Sequence, residues 1–120
     1  MDAFTQQYLN SALGCSTDNS TPSGGYPLDK NYGIEDIGPD TLAVMVADCQ
    51  KFQGDNADLP YVNTKQAGHD FWLTRNGHGA GFWDGDWPEP DATQLTTASK
   101  GFGPFTLYIG DDNLIHGMRG

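Results

Sequence analysis

Gly68-His69-Asp70-Phe71-Trp72-Leu73-Thr74-Arg75-Asn76-Gly77-His78-Gly79-Ala80-Gly81-Phe82-Trp83-Asp84 is the stretch on which the fold turns. His69–Arg75 is rich in aromatic and β-prone residues, and Asn-Gly beside such a run is the strongest short-range hairpin signal. The reading predicts strands at His69–Arg75 and His78–Asp84 joined by Asn76-Gly77. Arg75 then faces His78, Phe71 faces Phe82, His69 faces Asp84 and Asp70 faces Trp83. One face carries His69, Phe71, Leu73, Arg75, His78, Ala80, Phe82 and Asp84. The other carries Asp70, Trp72, Thr74 and Trp83, with Gly79 and Gly81 leaving room for rings or a ligand.

Beyond this block, Asp84–Pro90 reads as an acidic, Trp-bearing loop and Asp91–Phe102 as a helix through Ala92, Leu95, Ala98 and Phe102. Phe105–Ile109 alternates as a strand, Gly110-Asp111-Asp112-Asn113 turns the chain, and Leu114–Met118 returns. Before the block, Ala3–Leu13 forms a helix, with Asp2 as N-cap and Gly14 just past its end. Ser16–Gly33 is a loop of Ser, Thr, Asn, Gly and Pro, expected to be mobile. Ile34–Ile37 makes a short lead-in turn. Pro39–Phe52 is then a helix with Pro at its first position and Leu42, Met45, Val46, Cys49 and Phe52 on one face. Asp55–Gly68 is ambiguous, with Pro60 opposing one continuous element. The expected class is α+β, with three helices and a small antiparallel four-stranded sheet of two hairpins. The order is α-α-β-β-α-β-β, within one domain spanning residues 1–120.

Composition narrows the partners. Sixteen Asp and Glu oppose six Lys and Arg, a net charge of −10 at pH 7. Such a chain repels phosphate over roughly a Debye length, about 8 Å at physiological salt. Direct nucleic-acid binding and adhesion to anionic membranes are therefore disfavoured. A solubility role accounts for the acid equally well, and so does imitation of a nucleic acid toward a basic partner. No apolar run approaches the length of a membrane span, and no signal peptide is visible at Met1-Asp2-Ala3-Phe4-Thr5. Cys15 and Cys49 are expected as buried, reduced thiols in a reducing compartment.

Ligand-type and titratable residues crowd the central block. His69, Asp70, His78, Asp84 and Asp86 fall within eighteen residues, but none forms an HExxH, CxxC or EF-hand pattern. The reading therefore assigns no metal and no cofactor. For acid–base chemistry the candidates are a His69–Asp84 pair, with Arg75 and His78 receiving an anion. No Ser or Cys sits in a nucleophile setting. The Gly77-x-Gly79-x-Gly81 run lacks the following Lys of a phosphate loop, so it assigns no nucleotide. For binding the candidates are Trp72, Trp83 and Trp87, the residue type enriched at interface anchors, with Asp84, Asp86, Glu89 and Asp91 around them. Trp87, between Asp86 and Pro88, is the Trp expected to be exposed.

At Tyr32-Gly33-Ile34-Glu35-Asp36-Ile37, at Met45-Val46-Ala47-Asp48-Cys49-Gln50, and above all at Gly68–Asp84, the chain resembles the short hypothetical proteins encoded in many tailed-phage genomes. The resemblance runs from about Leu28 to the C-terminus. It implies a phage protein acting in the cytoplasm of a bacterial host, and it implies no reaction. Family members often carry a basic residue after Phe-Trp-Asp, where this chain has Gly85 followed by Asp86. Charge and resemblance together lead to an accessory protein that binds a host or phage protein with a basic surface. It would be an acidic, nucleic-acid-mimicking inhibitor or modulator of a nucleic-acid-acting enzyme or a defence system. The alternatives are a small metal-dependent or acid–base enzyme built on His69–Asp86, and a structural or replication-complex component.

Overall fold

A computed structural model of the chain describes residues 1–18 and 25–119, with the backbone alone at Pro60. Helix α1 spans Ala3–Cys15 and begins where Asp2 accepts the Thr5 amide proton at 2.9 Å, as an N-cap should. It runs through Gly14 and ends at Ser16, so Gly14 is a helical residue and not the stop signal expected of it. Strands β1 (Thr17–Asp18) and β2 (Tyr26–Pro27) pair as a small antiparallel ribbon inside the segment expected to be loop. The expectation of mobility falls partly on residues 19–24, which lie outside the described residues. Short 3-10 turns follow at Leu28–Lys30 and at Ile34–Asp36, the second matching the anticipated lead-in.

Helix α2, Pro39–Asp55, has Pro at its N-terminus and continues past Phe52 through Gly54. Asn56 stops it instead, its backbone and side-chain N–H groups both donating to the Phe52 carbonyl. Met45, Cys49 and Phe52 are buried, while Leu42 and Val46 are only half-buried.

The central block is helical, not a hairpin. Helix α3 runs Lys65–Arg75, and His78–Asp84 belongs to no strand. Thr64 caps the start by accepting the Ala67 amide proton at 3.2 Å. At the other end Gly77 has φ +71°, the left-handed conformation. The His78 amide bonds the Leu73 carbonyl and the Gly77 amide bonds the Thr74 carbonyl, the paired bonds of a Schellman termination. Asn-Gly therefore closes a helix here, because the positive φ that suits a hairpin turn suits a helix C-terminus equally.

The periodicity misled for a second reason. Asp70, Phe71, Trp72, Leu73, Thr74 and Arg75 are all buried in succession. A helix covered on every side shows no amphipathic stripe, and over a short apolar run it cannot be told from a strand. Packing against α1 is close enough that a Cβ at Gly68 would strike the Phe4 carbonyl, which explains a glycine inside a helix.

Helix α4 spans Asp91–Gly101. Strands β3 (Phe105–Ile109) and β4 (Ile115–Arg119) form the expected second hairpin, paired from Phe105↔Arg119 to Ile109↔Ile115. Gly38 donates to the Ile115 carbonyl at 2.8 Å and Gly117 to Thr41 Oγ1 at 3.1 Å, fixing this hairpin to the start of α2. Among the described residues the architecture is thus four α-helices and two separate two-stranded antiparallel sheets. The α+β class stands; the four-stranded sheet and the three-helix count do not. Nor does α2 lay its apolar face on a broad sheet. Phe52 stacks on Phe71 of α3 at 4.3 Å between centroids, Phe4 of α1 lies 5.8 Å from Phe52, and Phe82 lies 5.7 Å away. Rings from three helices and one loop make the core, each burying a large area and adding offset ring–ring attraction.

Candidate binding cleft

Between α3 and α4 the chain is pinned at two aromatic points. Phe82 is buried, and its amide donates to Thr74 Oγ1 at 3.1 Å. Trp87 is half-buried, its ring 5.3 Å from Phe82 and 5.4 Å from Tyr61. The Trp87 Nε1–H donates to Asp70 Oδ2 at 2.7 Å. Between these pins Trp83, Asp84, Gly85 and Asp86 are pushed outward. Trp83 is 52 % exposed, a large apolar group that folding leaves unburied. Asp84 turns back only to accept the Gly81 amide proton at 3.3 Å.

This outward bend and the first turns of α4 enclose a cleft of about 270 Å³, lined by Trp83, Gly85, Trp87, Glu89, Thr93 and Thr96 among others. Glu89 accepts the Thr93 amide proton at 2.9 Å, satisfying an otherwise orphaned N–H at the start of α4. Thr96 lines the cleft too, but its Oγ1 is buried and finds no hydrogen-bond partner among the described residues. None of the ion pairs among the described residues includes Asp84, Asp86, Glu89 or Asp91.

The other candidates lie elsewhere. Trp72 is 2 % exposed and belongs to the core, so it is unavailable to a partner. Trp87 is half-buried rather than freely exposed, and Trp83 takes the outward position expected of it. His69 does not meet Asp84: its Nδ1 lies 2.7 Å from Ser11 Oγ on α1. His78 is exposed beyond the helix terminus, remote from any cross-strand pairing with Arg75. Arg75 cannot receive an external anion, because its side chain is fully buried. Its guanidinium donates to Asp48 Oδ2, Tyr8 Oη and the Gly103 carbonyl, each at 2.9 Å. Asp48 is held from its other oxygen by Arg119 at 3.0 Å. Within α2, the carboxylate in Ala47-Asp48-Cys49 was the one available signal of this network, since a buried acid demands a buried cation.

Burial pushes the Tyr8 phenol and the Cys49 thiol well above their ordinary pKa values, leaving both protonated. Cys49 is a buried free thiol as expected; Cys15 is free but exposed. His69, Asp70, His78, Asp84 and Asp86 do not converge: among the described residues no three His, Cys, Asp or Glu side chains could share a metal ion. No helix among them is long and apolar enough to cross a membrane. Comparison with protein-family models, with curated proteins and with solved structures finds no match in any of the three.

Proposed function

We propose that this chain is a phage accessory protein that binds a basic surface of a host or phage protein through the loop 83–91 and the cleft behind it. The reading places it in the bacterial cytoplasm as an acidic modulator, imitating nucleic acid toward an enzyme or defence component. The observation that carries it is Trp83, 52 % exposed and set among Asp84, Asp86 and Glu89, with no cation among the described residues paired to them. An aromatic anchor ringed by unneutralised acid suits a basic protein surface, which the acids steer and the indole holds. The net charge of −10 adds a long-range field of the same sign. The acid–base reading, by contrast, has lost its geometry, since His69 and Asp84 do not pair.

The test is affinity capture from a bacterial lysate, followed by association kinetics of the purified pair at graded salt. Association should slow steeply between low and moderate salt, and Asp84→Lys with Asp86→Lys should abolish most of that dependence. Salt-independent association, or a partner indifferent to Trp83→Ala, would sink the proposal.

A further inference from the structure

Resting on that reading, we infer that the cleft behind Trp83 takes the guanidinium group of an arginine side chain presented by the partner. Two indoles, Trp83 and Trp87, border the cleft, and Trp is the aromatic side chain that attracts a cation most strongly. Trp87 is already oriented, because Asp70, Tyr61 and Phe82 hold it from the core side. A wall fixed before binding loses little freedom on association.

Glu89 supplies the charge. Its Oε1 accepts from the Thr93 amide at 2.9 Å, and the Thr93 hydroxyl lies within 2.9 Å of both carboxylate oxygens. A carboxylate has about four acceptor positions, so Glu89 keeps capacity for one further strong donor. Among the described residues no Lys or Arg lines the cleft, so none of their cations fills the site. Guanidinium suits it better than ammonium: it is planar, stacks on indole and sheds water more readily.

The experiment uses the whole protein and follows its indole N–H resonances by NMR. The probe is N-acetyl-Gly-Arg-Gly-amide, compared with the same peptide carrying citrulline, which is neutral and nearly isosteric, or lysine. The arginine peptide should shift the Trp83 resonance saturably and leave that of buried Trp72 unmoved. The citrulline peptide should produce no saturable shift, and the lysine peptide should bind several-fold more weakly. Trp83→Ala should weaken arginine binding about tenfold. Glu89→Gln, which keeps the Thr93 contact while removing the charge, should also weaken it. Equal binding of arginine and citrulline, or of arginine and lysine, overturns the inference. So does an arginine peptide that perturbs residues away from the cleft, and Glu89→Gln on the intact loop decides the matter even if Trp83→Ala misfolds. Failure of the arginine peptide alongside salt-steered partner association removes this inference and leaves the proposed function standing. Saturable arginine binding alongside salt-independent partner association does the reverse.

Discussion

The Trp87 indole N–H reaches back seventeen positions to the Asp70 carboxylate, at 2.7 Å. Asp70 is 2 % exposed and takes part in none of the ion pairs among the described residues. Two neutral donors hold it, Trp87 and the Gln66 side chain at 2.9 Å. A buried carboxylate with no cation is costly unless its lone pairs are filled. The bond therefore does two things at once: it gives the buried Asp70 Oδ2 a donor beside that of Gln66, and it fixes one wall of the cleft.

Trp87→Phe tests that coupling. The ring volume is largely kept, but Asp70 loses its shorter bond. Stability should fall by about 1.5–3 kcal/mol, as expected for a hydrogen bond to a charged group. Urea denaturation measures it, and a loss below about 0.5 kcal/mol would mean that water replaces the indole freely.

Arg75 should be the most sensitive charged position. Arg75→Ala leaves Asp48 with Arg119 alone and strips Tyr8 and the Gly103 carbonyl of a donor. Removing one partner of a buried pair costs about 3–5 kcal/mol, against a typical total stability of 5–15 kcal/mol. Arg75→Lys should rescue little, since an ammonium cannot reproduce the forked contacts. Arg119→Ala should cost about 1 kcal/mol or less, because its side chain is half-exposed. Comparable losses at both arginines would contradict this arrangement.

Helical termination and hairpin turning share a sequence vocabulary, which is why α3 was misread while α1, α2, α4 and the final hairpin were legible. Phe4, Tyr8 and Ala12 repeat on one face of α1 because that helix has a solvent side. Helix α3 has almost none, so His69–Arg75 offers no period to read. Local spacing placed His69 opposite Asp84, whereas the contact His69 makes, with Ser11, spans fifty-eight positions. The acidic, Trp-bearing character of the loop was legible because it depends on local composition alone, but which Trp faces outward was not. Trp87 was expected there, and its bond to Asp70, seventeen positions back, and its contacts with Tyr61 and Phe82 draw it inward and leave Trp83 exposed. The Arg75–Asp48 pair was not, since twenty-seven positions separate its members.

Two substitutions distinguish the helix from a hairpin directly. Thr64→Ala removes the cap of α3 and should cost about 1 kcal/mol. Gly68→Ala drives a methyl group against the Phe4 carbonyl and should cost about 1–3 kcal/mol by forcing α1 and α3 apart. Were both variants as stable as the parent by thermal melting, α3 and its packing on α1 would be wrong.

The cap at Asp2 gives a pH dependence of defined sign. Slight burial raises its pKa, but hydrogen bonds from Thr5 and Gln53, with the N-terminal amine nearby, outweigh this and leave it lowered. A carboxyl lowered in the folded state stabilises above its ordinary unfolded value and loses that contribution as pH falls through the folded one. Asp2→Asn preserves the cap without a titrating charge. The parent should therefore exceed Asp2→Asn in stability near pH 6, and the difference should vanish on acidification below about pH 3. A constant difference across that range would show that charge has no part in the cap.

The acids of the loop should separate into two kinds when reversed. Asp86 is exposed and makes no hydrogen bond or ion pair among the described residues, so Asp86→Lys should change stability by less than about 0.5 kcal/mol. Asp84 accepts one long bond from Gly81, and Asp84→Lys should cost little more. Glu89 differs, because its carboxylate satisfies the Thr93 amide in the first turn of α4 and sits at the positive end of that helix. Glu89→Lys loses the bond and places a cation against the helix dipole, so it should cost about 1–2 kcal/mol. Glu89→Gln should recover most of that loss by keeping an acceptor oxygen. Thermal and urea unfolding of the three reversals would show the ordering, and equal stability throughout would mean that Glu89 is as free of structural duty as Asp86.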